Sequence, residues 1–118
     1  MTFTRKLGRS GIEVSALGMG CWAIGGPFFE KGTPLGWGEV DDNESIRAVQ
    51  RAMELGVNFF DTANVYGAGH SERVLAKALA GKRKDVVIAT KFNAVFDEQT
   101  REVTGSDSTP AGIRKACE

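Results

Sequence analysis

The sequence has no surplus of charge of either sign: Lys plus Arg and Asp plus Glu both number 15, so the formal net charge over 118 residues is zero. That balance leaves no basic footprint for nucleic acid and no patch for an anionic membrane. Long apolar runs are also missing. No window approaches the ~18 apolar residues of a membrane span, and Met1-Thr2-Phe3-Thr4-Arg5-Lys6 runs into a glycine-rich mixed stretch rather than an apolar signal segment. Cysteine is scarce. Cys21 and Cys117 lie near opposite ends of the chain without metal-ligand spacing, so no metal site is expected and both read as free thiols of a reducing cytoplasm. What remains is a chain that is 42% hydrophobic, suited to one globular domain with a modest core.

The stretch Gly56-Val57-Asn58-Phe59-Phe60-Asp61-Thr62-Ala63-Asn64-Val65-Tyr66-Gly67 carries the chemistry. Side chains alternate along a strand, so Val57, Phe59 and Asp61 are expected on one face, with Asp61 where the strand gives way to a loop. Val86-Val87-Ile88-Ala89-Thr90 repeats the arrangement and ends in Lys91. If the two strands are parallel neighbours, ~5 Å apart, the carboxylate and the ammonium meet at the C-terminal edge of the sheet. The lone tyrosine, Tyr66, hangs over them from the intervening loop. Taken singly, each residue has a plainer use: a strand-end aspartate as a cap, a lysine in solvent, a tyrosine in packing.

Residues 3 to 14 read as a hairpin turning at Arg9-Ser10-Gly11. Val14 to Gly20 follows as a short strand whose glycines, Gly18 and Gly20, allow close approach to the backbone. Gly18-Met19-Gly20-Cys21-Trp22-Ala23 fits the dinucleotide pattern G-x-G-x-x-G/A, which works only where a helix opens at its third position. Instead, Gly25 to Gly38 holds two prolines and five glycines in fourteen residues and reads as a loop, within a long substrate-side segment spanning 24–40. Its Phe28, Phe29 and Trp37 either fold under the loop or line a pocket. Asp41 or Asp42 opens a helix striped by Ile46, Val49, Ala52 and Met53, which ends at Gly56. Ser71 is expected to cap a second helix with Val74, Leu75, Ala78 and Leu79 buried, and His70 to face solvent before that cap. Asn93 to Asp107 reads as a polar loop. Thr109-Pro110 starts a third helix with an apolar stripe at Ile113, Ala116 and Cys117.

Strands alternating with helices imply a parallel sheet with right-handed crossovers, either open and doubly wound or closed into a barrel. Charges at strand ends and a plug-like hairpin favour the barrel. Residues Leu7–Gly11, Ala16–Trp22, Gly56–Gly67, Gly69-His70-Ser71-Glu72 and Ile88–Lys91, in this order and spacing, resemble the N-terminal part of an aldo-keto reductase. The resemblance implies an α/β fold: the beginning of a (β/α)8 TIM barrel behind a β-hairpin, about three βα units in one partial domain over 1–118. It also implies NADPH-dependent reduction of an aldehyde or ketone, a small-molecule carbonyl substrate. By this resemblance Tyr66 is the proton donor, Lys91 the cation beside it and Asp61 the carboxylate holding the lysine. Gly20, Cys21, Trp22 and Asp61 border the cofactor, and Trp22 and Tyr66 the substrate. The physics agrees, because a phenol beside an ammonium gives up its proton more readily.

A (β/α)8 barrel needs roughly 250 residues. The resemblance places a catalytic histidine after the next strand, so His70 is not that residue. The chain is therefore expected to be the N-terminal portion of a longer reductase and inactive alone. A second expectation is a non-catalytic partial barrel that self-associates through unpaired sheet edges or docks on a partner.

Overall fold

The polar start of the chain folds back on itself as expected. In the computed structural model, which describes residues 3–118, β1 (Thr4–Lys6) and β2 (Glu13–Ser15) pair antiparallel with Thr4 opposite Ser15. Ser15 seats this hairpin on the body of the protein. Its N–H donates to Asn58 Oδ1 at 2.6 Å, and its hydroxyl accepts from the Asn58 N–H at 3.1 Å. β3 is only Met19–Gly20, and after it comes a three-residue 3-10 turn, Ala23–Gly25, that stops at Gly26 with φ 72°. No helix opens there, which rules out the dinucleotide reading of the glycines.

β4 (Phe29–Glu30) and β5 (Thr33–Pro34) form a small hairpin inside the segment expected to be an irregular loop. α1 (Asp42–Glu54) is capped by the Asp41 carboxylate, which accepts from the N–H groups of Asn43 and Glu44, and Gly56 terminates it at φ 93°. β6 (Phe59–Asp61), α2 (His70–Ala78) and β7 (Val87–Ala89) follow. The sequence then departs from expectation. Asn93 to Asp107 is no loop but a hairpin of β8 (Ala94–Asp97) and β9 (Glu102–Ser106). Asp97 drives its turn by accepting from the N–H groups of Gln99 and Thr100, both at 2.8 Å, and these bonds hold its carboxyl below the usual range. α3 (Pro110–Cys117) is capped by Thr109 as expected, but none of its residues is buried.

β3, β6 and β7 form a parallel sheet in that order, with Gly20 opposite Asp61 and Asp61 opposite Ala89. α1 and α2 cover one face. Phe60, fully buried, meets Val49, Val74, Leu75, Ala78, Leu79 and Val86 there, while Phe59 and Asp61 take the other face by alternation. Val57 does not share the Phe59 face. It precedes the strand, its N–H donates to the Ala52 carbonyl at 2.9 Å, and it packs with the helix-side core. A second sheet, ordered β5-β4-β9-β8, joins the two segments that the sequence presents as loops.

Cys21 belongs to the core with none of its surface exposed, whereas Cys117 is exposed on α3. Burial, and after it the Asp61 carboxylate, pushes the Cys21 thiol up to about 11. Native protein is expected to take one maleimide, on Cys117, and a second only in denaturant. A thiol kept neutral by the fold stabilises it fully below its unfolded value of 9.0, and loses that contribution as pH rises towards about 11. The urea midpoint should fall across that interval; a flat midpoint would contradict the assignment.

Candidate active site

Two parallel strands bring their terminal side chains together because they end in register. Asp61 closes β6, and Lys91 stands two residues beyond Ala89, its neighbour on β7. Lys91 Nζ donates to Asp61 Oδ1 at 2.9 Å, to the Thr62 carbonyl at 2.7 Å and to the Tyr66 hydroxyl at 3.4 Å. It also lies 5.1 Å from the centre of the Tyr66 ring. Partial burial on its own would lower the Lys91 ammonium. Hydrogen bonds to Asp61 and Tyr66, and their charges, outweigh it and hold the lysine above its ordinary value. Lys91 is therefore a fixed cation at neutral pH, aimed by two oxygens of the β6 end.

Tyr66 is held by its backbone. The loop from Ala63 to Gly69 is tied by the Ala68 N–H to the Val65 carbonyl at 2.8 Å, and the Tyr66 carbonyl accepts from the Ser71 N–H at 3.1 Å. Ser71 is not the cap of α2, as its residue type had suggested. Gly69, in a left-handed conformation, occupies the capping position, and Ser71 lies fully buried as the second residue of the helix. Its hydroxyl donates to the Cys21 carbonyl at 2.7 Å, so the 2.8 Å contact with Thr62 Oγ1 has Thr62 as donor. One buried hydroxyl thus joins the ends of β3 and β6 to the start of α2. Nor does His70 face solvent: its Nε2 lies 2.7 Å from Asp42 Oδ1 and links the first turns of α1 and α2. Sequence reasoning missed both Thr62 and Ser71 as builders of the site. The only signal was a threonine placed directly after the strand-end carboxylate.

Gly20, Cys21 and Trp22 divide by side. Gly20 pairs with Asp61, and a Cβ there would meet nothing within 4 Å, so the rim beside Asp61 is open. Gly18, by contrast, is filled from the other side by the Phe59 ring. The Cys21 thiol turns into the core, leaving its backbone at the rim, where its N–H donates to the Asp61 carbonyl at 2.8 Å. Trp22 turns outward and stacks on Tyr66, with centroids 6.0 Å apart and planes at 18°. Trp37, from the segment after β5, meets Trp22 edge-on at 5.7 Å. Of the aromatic residues in that segment, Phe28 is buried and Trp37 joins the site wall.

An ammonium wedged between a carboxylate and a phenol, beside an open glycine rim, suits proton transfer to an oxygen that is gaining charge. The sequence profile of the Aldo/keto reductase family matches residues 16–118. The chain belongs to the aldo-keto reductase family. It is 42% identical over 84 residues to the aldo-keto reductase YhdN of Bacillus subtilis, a stretch that makes up 70% of this chain and 23% of that protein. An aldo-keto reductase from Bacillus halodurans, solved in its holo form, superposes with a TM-score of 0.80 at 31% identity, over 98% of this chain and 34% of that one. A Klebsiella pneumoniae aldo-keto reductase, solved with NADP and acetate, shares the fold at a TM-score of 0.63 and 24% identity, covering 91% and 30%. The chain spans about a third or less of these relatives. They are (β/α)8 barrels, and the three parallel strands here are the first part of such a barrel. Among the described residues no helix is long and apolar enough to cross a membrane.

Proposed function

We propose that this aldo-keto reductase segment supplies the proton-transfer half of a carbonyl-reducing centre, and that the complete centre converts aldehydes or ketones to alcohols with NADPH. The observation that carries the reading is the convergence of Asp61, Lys91 and Tyr66. NADPH, when bound, supplies the hydride. The fit rests on the open rim at Gly20, flanked by Asp61 and Trp22, which would border the nicotinamide end. Tyr66 gives its hydroxyl proton to the carbonyl oxygen as that oxygen becomes an alkoxide. Lys91 favours the phenolate left behind, and Asp61 with the Thr62 carbonyl keeps Lys91 aimed. Solvent then returns a proton to Tyr66.

The test compares two proteins. Grafted in place of the matching part of the B. halodurans barrel, this segment is expected to support NADPH consumption with a carbonyl compound, while the 118-residue chain alone shows negligible turnover. A folded graft that binds NADPH without turnover would count against the reading.

A second reading has its own observation: among the described residues β3 and β7 each pair on one side only, and the outer edge of β7 has no neighbouring strand. An unpaired parallel edge can recruit another strand. In this reading the chain is a non-catalytic module that self-associates there. Light scattering behind size exclusion distinguishes the two, since a defined oligomer of the chain alone supports the module and a monomer counts against it.

A further inference from the structure

Alternation along β6 and β7 sends neighbouring side chains to opposite faces, so each charge of the candidate centre has a threonine beside it that points the other way. Thr62 follows Asp61 and shares the helix-side face with Phe60; Thr90 precedes Lys91 and shares that face with Ile88, which packs on the core. Both hydroxyls end on the first turn of α2, at consecutive residues. Thr62 Oγ1 donates to the Ser71 hydroxyl at 2.8 Å, and Thr90 Oγ1 donates to Glu72 Oε1 at 2.6 Å. Ser71 and Thr62 are both buried, so their bond is shielded from water. Ser71 also reaches the backbone on either side of the site: its hydroxyl donates to the Cys21 carbonyl at 2.7 Å and its N–H to the Tyr66 carbonyl at 3.1 Å.

These straps lie where strand pairing fades. β7 ends at Ala89, and beyond it the Lys91 carbonyl accepts from the Asn64 N–H at a long 3.3 Å. The Lys91 ammonium nevertheless meets the Thr62 carbonyl at 2.7 Å and Asp61 Oδ1 at 2.9 Å, and neither contact survives if the two strand ends slide or part. A helix turn is stiff. Holding both ends on adjacent residues of one turn fixes their separation with little further loss of freedom, because the helix has already ordered Ser71 and Glu72. We propose that Ser71 and Glu72 are positioning residues: through Thr62 and Thr90, the first turn of α2 sets the distance between the Asp61 carboxylate and the Lys91 ammonium, and so how firmly the cation is held beside Tyr66. The proposal rests on the reductase reading for the use of that cation, but its test reads Lys91 itself and needs no turnover.

Only an unprotonated amine attacks an acylating reagent, so a lysine held charged by its partners reacts slowly. Trace acetylation of the chain with acetic anhydride in mildly alkaline buffer, followed by mass spectrometry of each lysine, is expected to find Lys91 slower than the exposed Lys31 and Lys82. Ser71→Ala and Glu72→Leu should each speed Lys91 about three- to ten-fold relative to those two, the equilibrium effect of losing one hydrogen bond from the set that aims it. Glu72→Gln keeps an acceptor for Thr90 and should stay within about two-fold of the parent, which separates the strap from the mere loss of a negative charge. Thr90→Val cuts the same strap at an exposed residue, so it tests the proposal even where Ser71→Ala fails to fold. An unchanged Lys91 rate in Thr90→Val, acceleration of all lysines together, or Glu72→Gln as fast as Glu72→Leu would overturn the proposal. If Tyr66 proves dispensable for turnover in the graft while these variants release Lys91, only the reductase reading fails. If turnover needs Tyr66 but Lys91 is indifferent to the straps, only this inference fails.

Discussion

Tyr66→Phe is expected to lower carbonyl reduction in the grafted barrel by about 10²–10⁴-fold, the usual contribution of a positioned general acid. That corresponds to about 3–5 kcal/mol of barrier. The substitution removes one oxygen and leaves the ring, so the stack on Trp22 at 6.0 Å persists and NADPH binding should be unchanged. It also removes one of three Lys91 partners while keeping the 2.9 Å and 2.7 Å bonds to Asp61 and the Thr62 carbonyl, so the lysine stays in place. The loss should therefore fall on kcat. Steady-state rates with NADPH, together with a direct binding titration, separate the two. A variant retaining more than about a tenth of wild-type turnover, on the same general-acid scale, would mean that another group delivers the proton.

The second large effect is structural. Gly67→Ala is expected to destabilise the protein by more than about 3 kcal/mol, from two sources that add. Gly67 has φ +64°, where a side chain costs about 1–2 kcal/mol. A Cβ there would also run into the Gly25 carbonyl, and one on Gly25 would come within 2.8 Å of the Tyr66 carbonyl carbon. The two glycines let the 3-10 turn after Trp22 press against the backbone of Tyr66, which is how the stacked pair is brought together. Gly81→Ala is the control: φ is +75° there, but nothing lies within 4 Å of the added carbon. At roughly 4 °C per kcal/mol for a chain of this size, Gly81→Ala should lower Tm by about 4–8 °C and Gly67→Ala by about 12 °C or more. Only Gly67→Ala should also flatten the near-ultraviolet dichroism of the aromatic row. Equal shifts for the two variants would show that backbone conformation, not close approach, decides this position.

The parts legible in the sequence were those governed by local rules. Alternation put Asp61 on the face opposite Phe60, helical spacing marked Val49, Val74, Leu75 and Ala78 as buried, and Asp41 and Thr109 declared themselves as caps. Ser71 misled because serine near a helix start has two uses, and only the position of the Cys21 carbonyl decides between capping and cross-linking. His70 misled in the same way, since its partner Asp42 belongs to another helix. The second sheet was invisible for a stronger reason. β4 and β5 are two residues each, too short for any periodicity, and the hairpin they form with each other joins a larger sheet only because β9, far along the chain, pairs with β4.

By itself the sequence determined the family, the alternation of the three parallel strands with α1 and α2, and the carboxylate, ammonium and phenol that form the candidate centre, because strand ends and side-chain faces follow from spacing along the chain. Tertiary structure alone decided that a buried hydroxyl ties Cys21, Thr62 and α2 together, and that Trp37 is held out beside Trp22. Those positions depend on backbone groups brought close by folding, and nothing in the nearby sequence encodes which distant segment will arrive.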